Sequence, residues 1–370
     1  MKICFFISTL SAGGAERNVS LLANHFAKKN KVTIFTLENK KSKSFYKISK
    51  KVKLVRLDLL SKSKNIFSSL INFFNRVLII RKKLLDENTE VCISFLETMN
   101  LTVLIASLRL KNIKLKIISD RNNPKKSEKF FLIFILKFFF YRTCDFLVLQ
   151  TKGIISNYKF IKKNKIKIIS NSIVENLIIK KQFKKRKKIK ILCAGRLEPQ
   201  KDYYTLLKSL FILNKKNIKF NCDIYGAGSE KQKILNLINQ FKLKNNVFLK
   251  GVTNKLYKLY HKYDLYILSS KYEGYPNTLL EAVSTQVPSI SSDCEYGPNE
   301  IIKNKVNGLL FKVANPNDLS KKIIFLKNSN YKFINKLKDF NKKNFNPKKV
   351  NLKILSLWEK LIKKKNYYFV

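Results

Sequence analysis

Acidic side chains are scarce in this chain. Asp and Glu number 24 of 370 residues against 76 Lys and Arg, a formal net charge of +52. A surplus of that size favours anionic partners, nucleic acid or anionic lipid, and does not bear on fold. The lysines are spread along the chain rather than gathered in one block, in a composition crowded with Lys, Ile, Asn and Phe. Compositional drift accounts for most of the surplus, yet the resulting field still favours anionic lipid. Close cysteine pairs are missing too. Cys4, Cys92, Cys144, Cys193, Cys222 and Cys294 are far apart and form no C-x-x-C. That excludes a disulfide framework and a zinc site and fits a reducing, cytoplasmic compartment. All but Cys294 sit in or beside apolar runs, where Cys behaves as a small hydrophobe. No run reaches the ~20 apolar residues that span a bilayer. The nearest, FFLIFILKFFFY at 130–141, is interrupted by Lys137. The start, MKICFFISTLSAGGA, mimics a secretory leader, but its apolar run is short. Ile3 to Ile7 read instead as a buried first strand, with Gly13-Gly14 as the loop after it.

The chain is long enough for two domains. Its hydrophobic fraction of 45% and aromatic fraction of 12% exclude a disordered class. Apolar runs at 2–8, 31–37, 52–57, 90–95, 115–119, 145–149 and 166–169 lack strict alternation, as strands buried on both faces do. Helical patterns at 14–29, 66–86, 98–109 and 127–143 lie between them. The basic run KKQFKKRKK, 180–188, breaks the series and reads as a solvated linker. A second series follows: strands at 189–194, 218–225, 247–250, 264–269 and 288–291, with helices at 202–215, 229–242, 254–262, 276–286 and 298–303. Three helical patterns, 316–328, 331–343 and 348–364, close the chain. Strand and helix in alternation predict two doubly wound, Rossmann-like α/β domains. The expected boundaries are an N-terminal domain over 1–175, a linker over 176–188, a C-terminal domain over 189–345, and a last helix within 346–370 that packs back toward the N-terminal domain. No short tandem repeat is present.

Open parallel sheets bind ligands at the carboxyl ends of their strands. Four features fall there. In SAGGAE, 11–16, Gly13 and Gly14 let a backbone approach an anion, and the helix that follows offers N–H groups; the same pair also makes an ordinary tight turn. In GRLEPQKD, 195–202, Gly195 ends a strand, and Arg196 and Lys201 stand just beyond it. Those two cations can offset a departing diphosphate. In YGAGSE, 225–230, Gly226 and Gly228 make half of a dinucleotide fingerprint; the third glycine is absent, which disfavours NAD. In EGYPNTLLEA, 273–282, Glu273 precedes a helix start at Pro276, and Glu281 lies one to two turns in. Ionised acids accept hydrogen bonds from sugar and ribose hydroxyls, and N–H groups near Asn277 and Thr278 would face phosphates between them. Two exposed helix glutamates would be the bland account. The scarcity of acids and the apolar setting weaken it. A diphosphate bearing free hydroxyls is a nucleotide sugar, so the residues read first as a glycosyltransferase.

The C-terminal half resembles the family-4 retaining glycosyltransferases of the GT-B fold. The segments GRLEPQKD, YGAGSE, VFLKGV, DLYILSSKYEGYPNTLLEA and GPNEIIKNKVNGLLF cover most of residues 189–311 in that family's order and spacing. The N-terminal half is similar through GGAER and through SDRNNP, 119–124, which resembles a loop of bacterial surface-polysaccharide members. The resemblance implies two Rossmann-like domains facing across a cleft and transfer with retention. It implies that Arg196, Lys201 and Glu273 are catalytic, the two cations contacting the donor diphosphate and Glu273 holding the donor sugar near its 3-hydroxyl. Glu281 would hold the ribose. Gly274, Tyr275, Pro276, Asn277 and Thr278 would line sugar and phosphate, and Gly195, Gly226 and Gly228 would pass close to the nucleotide. Gly297 to Glu300 would close the donor loop, and Gly13 and Gly14 would face the cleft. No metal and no cofactor beyond the donor is implied, in accord with the lack of a D-x-D pair.

One departure concerns the catalytic-site His that many members carry on an N-domain loop. The two histidines here, His25 and His261, lie in helical patterns and read as structural. Asp120, Arg121 and Asn122 take the loop position, with Arg121 or Asn122 reaching the donor sugar or the acceptor, and the leaving phosphate itself accepting the proton. The expected activity moves a hexose or N-acetylhexosamine from a UDP-sugar to a saccharide acceptor in bacterial surface-glycan assembly. The patterns 66–86 and 127–143 are apolar and flanked by basic residues. They read as buried helices or as a monotopic face on anionic lipid. The second reading suits a lipid-linked acceptor and a peripheral place on the inner face of the cytoplasmic membrane. Two alternatives are a nucleic-acid-binding protein, for which the aromatic–glycine signatures of RNA modules are missing, and another GT-B sugar-nucleotide enzyme, against which Glu273, Glu281 and GRLEPQKD argue.

Overall fold

The structure, a computed structural model, describes residues 1–60, 66–121, 131–179, 187–329 and 331–363. The chain divides into two compact units: Met1–Ser172 with the residues from Leu352 onward, and Ile173–Asn351.

The first unit is built on a parallel sheet in the order β3-β2-β1-β4-β5-β6-β7. Its strands are β1 (Lys2–Ile7), β2 (Lys31–Thr36), β3 (Val52–Arg56), β4 (Val91–Phe95), β5 (Leu115–Ser119), β6 (Phe146–Leu149) and β7 (Ile166–Ile168). Helices α1 (Gly14–Phe26), α2 (Ile66–Asp86), α3 (Glu97–Ala106) and α4 (Phe131–Phe140) connect them. The unbroken apolar run Ile3 to Ile7 is explained by burial on both faces. Cys4, Phe6, Phe35 and Cys92 pack against Val77, Ile80 and Leu84 of α2 and Met99 and Val103 of α3. Each such side chain contributes roughly 1.5–3 kcal/mol by leaving water.

The second unit carries a parallel sheet in the order β10-β9-β8-β11-β12-β13. Its strands are β8 (Ile189–Ala194), β9 (Phe220–Tyr225), β10 (Val247–Gly251), β11 (Leu265–Leu268), β12 (Ser289–Ser292) and β13 (Leu309–Phe311). Its helices are α5 (Tyr203–Lys215), α6 (Lys231–Gln240), α7 (Asn277–Ser284), α8 (Pro298–Ile301), α9 (Pro316–Asn328) and α10 (Tyr331–Asn344). Alternate residues of β8 feed two cores. Ile191 and Cys193 pack with Leu206 and Leu210 of α5 and Leu319 and Ile323 of α9. Leu192 and Ala194 pack with Leu279, Leu280 and Val283 of α7 on the other face.

The last helix, α11 (Pro347–Lys363), begins in the second unit and passes into the first. There Trp358 is fully buried and stacks on Phe95, ring centroids 6.0 Å apart. His25 Nε2 lies 2.7 Å from Glu359 Oε1 on the same helix, a structural contact.

Two local expectations change. The helix expected over 254–262 is two 3-10 turns, Leu256–Lys258 and Tyr260–Lys262. The chain there is held by side-chain bonds of Tyr260 and Tyr263 to other elements rather than by an α ladder. Strand β13 has three residues, too few to show periodicity. All six cysteines are buried and unbridged. The expected linker 176–188 falls partly, and Asn122 wholly, outside the described residues, as do the first residues of the 127–143 pattern.

Candidate active site

In the second sheet the chain runs outward from β8 through β9 to β10, then returns to place β11 on the other side of β8. The loops after β8 and β11 therefore leave in opposite directions, and the crevice between them is where open α/β sheets take ligands. GRLEPQKD follows β8, and the segment from Ser269 to Glu273 follows β11.

Hydrogen bonds stitch these two loops together. Gln200 Nε2 donates to the Tyr272 carbonyl at 2.8 Å, and Lys271 N–H donates to the Gln200 carbonyl at 2.8 Å. Ser269 Oγ donates to the Lys201 carbonyl at 2.8 Å. Lys201 precedes Asp202, which takes a left-handed conformation (φ 47°) and caps α5 through Thr205. Asp is among the few residues that tolerate this conformation. Lys201 Nζ lies 2.5 Å from Glu273 Oε1, with side-chain exposures of 13% and 8%. The hydroxyl of buried Ser270 donates to the same oxygen at 2.6 Å, and the Ser270 carbonyl accepts from Ser292 Oγ at 2.6 Å. Glu273 is thus a buried acid held by one cation and one hydroxyl. Arg196 is exposed and donates to Gln200 Oε1 at 3.2 Å.

The glycines of the neighbouring loops answer to close backbone approach. A Cβ on Gly226 would lie 1.9 Å from the Gly195 carbonyl oxygen, and one on Gly228 would lie 2.4 Å from that of Leu197. Glu198 accepts from Ser229 N–H at 3.0 Å and its hydroxyl at 2.8 Å. These bonds draw the Glu198 carboxyl below its ordinary pKa. Gly297, at φ 83°, would put a Cβ 2.2 Å from the Gly274 carbonyl oxygen. The loop before α8, with Glu300 exposed in its first turn, is thereby fixed against the loop before α7.

Helix α7 starts after Pro276 with no side-chain cap, so its first turn presents N–H groups of the anion-binding kind. Glu281, one turn on, is buried. The Tyr260 hydroxyl sits 3.0 Å from its Oε2 and 3.1 Å from the Thr278 carbonyl. Tyr266 donates to Thr278 Oγ1 at 2.7 Å, and burial raises the pKa of this phenol. Gly195, Arg196, Lys201, Gly226, Gly228, Glu273, Gly274, Tyr275, Asn277, Thr278, Glu281 and Gly297 therefore belong to one continuous set of loops in the second unit. Ser270, Ser292, Tyr260 and Tyr266 hold that set in place. They were not singled out from sequence: Ser292, Tyr260 and Tyr266 meet partners twelve or more residues away, and Ser270, three residues before Glu273, is one of many serines.

The other expected residues belong to the first unit. Gly13 is the extended N-cap of α1, which has no side-chain cap, and Asn18 Nδ2 donates to the Gly14 carbonyl at 2.7 Å. Asp120 follows β5 and is buried. Its carboxylate accepts from Tyr158 at 2.6 Å, Tyr141 at 3.1 Å and Asn100 at 3.3 Å. Arg121 donates to Ser119 Oγ at 2.9 Å and to Asn171 Oδ1, and lies 5.1 Å over the Phe95 ring. Burial lowers its pKa to about 9.

A doubly wound parallel sheet with paired acids and cations at its switch point is an arrangement common among α/β enzymes that take nucleotides. The family described as "Glycosyl transferases group 1" matches residues 174–346. An alpha-1,4-N-acetyl-D-galactosaminyltransferase of Campylobacter jejuni, named for GalNAc-alpha-(1->4)-GalNAc-alpha-(1->3)-diNAcBac-PP-undecaprenol, is 30% identical over 90% of this chain and 90% of its own. Among solved structures, sucrose-phosphate synthase of Thermosynechococcus elongatus superposes with a TM-score of 0.82 at 14% identity, covering 98% of this chain and 99% of that one. Anabaena HepE in complex with UDP and glucose superposes with a TM-score of 0.75 at 14% identity, covering 97% and 99%. The chain belongs to the group 1 glycosyltransferases and has the GT-B fold.

Proposed function

We propose that this glycosyltransferase moves a hexose or N-acetylhexosamine from a UDP-sugar to a lipid-linked saccharide acceptor in bacterial surface-glycan assembly. Retention of configuration, no metal ion and no further cofactor complete the reading. The observation that carries it is the Lys201–Glu273–Ser270 cluster at the switch point, beside Arg196 and the uncapped start of α7. The name of the Campylobacter relative contains PP-undecaprenol, and the Anabaena structure holds UDP, which support this acceptor and this nucleotide.

The two phosphates lie against Arg196, Lys201 and the first turn of α7, where positive charge and N–H dipoles stabilise the departing UDP. Glu273 orients a donor-sugar hydroxyl while keeping Lys201 extended, and Glu281 takes the ribose hydroxyls. The bond from anomeric carbon to phosphate oxygen breaks as the acceptor oxygen bonds to that carbon. The acceptor proton passes to the leaving β-phosphate oxygen, so products are the lengthened glycan and UDP. In this reading Gly13 and Gly14 bind the donor, and Asp120, Arg121 and Asn122 contact the donor sugar or the acceptor.

The enzyme works at the inner face of the cytoplasmic membrane. Attachment is peripheral in this reading; no helix among the described residues is long and apolar enough to cross a membrane. The test is turnover across UDP-, GDP- and ADP-sugars with an undecaprenyl-diphosphate saccharide, with and without chelator. Transfer from one UDP-sugar, with the anomeric configuration kept by NMR, is expected. No sugar-nucleotide binding by folded protein, or a salt-sensitive RNA complex tighter than any donor complex, would overturn it.

A further inference from the structure

Helix α4 is inside out. Its one charged residue, Lys137, is 1% exposed and points into the first unit, 3.6 Å from Glu97 Oε1 and 5.2 Å above the Tyr158 ring. Phe139, by contrast, is 61% exposed, and Phe134 is exposed as well. A helix of a water-soluble surface shows the opposite arrangement. Helix α2 shows the same excess of outward apolar surface. Val77, Ile80 and Leu84 face the core. Ile71, Phe74, Leu78 and Leu85 recur at spacings of three, four and seven, which makes one outward stripe. Phe74 is 60% and Leu78 64% exposed. Helix α3 packs on both α2 and α4 and on β1, β4 and β5, so the three helices cover one face of the first sheet.

Single exposed hydrophobes need no explanation, but a contiguous stripe of large ones marks a docking surface. The charges around it decide what docks. Helix α2 carries Arg76, Arg81, Lys82 and Lys83 against one acid, Asp86. Protein interfaces are depleted of Lys, whereas anionic lipid headgroups attract Lys and Arg that flank inserted apolar residues. We propose that the outward faces of α2 and α4 form a monotopic docking surface for an anionic bilayer, with Phe74, Leu78 and Phe139 entering the acyl boundary. This names the surface behind the membrane-side reading above and rests on it only for the source of the acceptor.

The test uses the full chain and sedimentation with vesicles of phosphatidylcholine alone or mixed equally with phosphatidylglycerol. The protein is expected to bind the mixed vesicles and to bind the neutral ones far less. Phe74→Ser with Leu78→Ser, and separately Phe139→Ser, should each weaken binding roughly tenfold or more. Their unfolding midpoints and their turnover of a short water-soluble acceptor should stay at the parent's values. Equal binding by parent and variants would overturn the proposal, since the field of the chain alone would then account for attachment. So would a dimer of the parent that the double substitution dissociates, because the stripe would then cover a second copy. Vesicle binding by a protein that turns over no sugar nucleotide would leave the docking surface standing and remove the proposed activity instead.

Discussion

The Lys201 ammonium and the Glu273 carboxylate meet at 2.5 Å, and the Ser270 hydroxyl closes on the same carboxylate oxygen at 2.6 Å. The cation proposed to meet a diphosphate is thus already held extended by the acid proposed to meet the sugar. Positioning of this kind precedes substrate and needs no rearrangement at the moment of transfer. Glu273→Gln keeps the side chain's shape but loses its charge, and should lower donor turnover by about 100-fold or more; it leaves the enclosed Lys201 ammonium without its carboxylate and should lower stability by up to about 3 kcal/mol. Lys201→Ala should lower turnover similarly and also destabilise the fold by about 3 kcal/mol, because it leaves a buried carboxylate without its cation. UDP release assays with urea titrations separate the two effects. Parent-like turnover in both variants would place the chemistry elsewhere.

Tyr260 is predicted to act on the donor through Glu281. Its hydroxyl lies 3.0 Å from Glu281 Oε2, and the tyrosine is fully buried. A hydrogen bond to an ionised partner is worth about 1.5–3 kcal/mol. Tyr260→Phe removes only that hydroxyl and should raise KM for the donor roughly tenfold while kcat changes little, since the ribose lies away from the reacting bond. A fall in kcat at constant KM would instead place Glu281 at the sugar.

The sequence made the sheets and the donor loops readable for one physical reason. Strand Ile3–Ile7 is buried on both faces and its apolar run is unbroken, while Ile189–Ala194 is interrupted by the exposed Lys190 and followed at once by Gly195. Gly226, Gly228 and Gly297 could be picked out because backbone passes backbone there, a demand that leaves a glycine behind. Ser270 and Tyr260 left no such mark. A serine hydroxyl or a buried phenol looks the same in sequence whether it serves packing or holds an acid in place. Lys137 was read as an interruption in an apolar helix, and only its contact with Glu97 shows that it points inward. Asp120, expected at a substrate, has its carboxylate engaged by Tyr141, Tyr158 and Asn100 within the first unit, partners that no spacing rule connects.

Glu90 should give the fold part of its acid sensitivity. The Lys114 ammonium at 2.9 Å, then the Lys2 N–H at 2.8 Å, hold its carboxyl below the usual carboxylate value. A carboxyl depressed in the folded state adds stability above the unfolded pKa, and that stability is lost as pH falls through the folded value. Glu90→Gln should therefore lower stability by about 1 kcal/mol at neutral pH. The gap from the parent should close as pH drops below about 4. Urea midpoints over a pH series test this; a constant gap at every pH would mean that the carboxylate charge plays no part.

Two glycines should respond differently to the same substitution. Gly251 adopts φ 70° with nothing within 4 Å of an added Cβ, so Gly251→Ala meets only the backbone penalty of the left-handed region, about 1 kcal/mol. Gly297 adopts φ 83° and would drive a Cβ to 2.2 Å from the Gly274 carbonyl oxygen and 2.9 Å from Pro276 Cδ. Backbone cannot move aside there without shifting the loop that leads into α7. Gly297→Ala should cost about 3 kcal/mol or more, or should displace the Gly274 loop and abolish donor binding in a protein that remains folded. Paired urea titrations and donor-binding isotherms distinguish these outcomes. Equal, small effects at both positions would show that the loop before α8 is not fixed against the loop before α7.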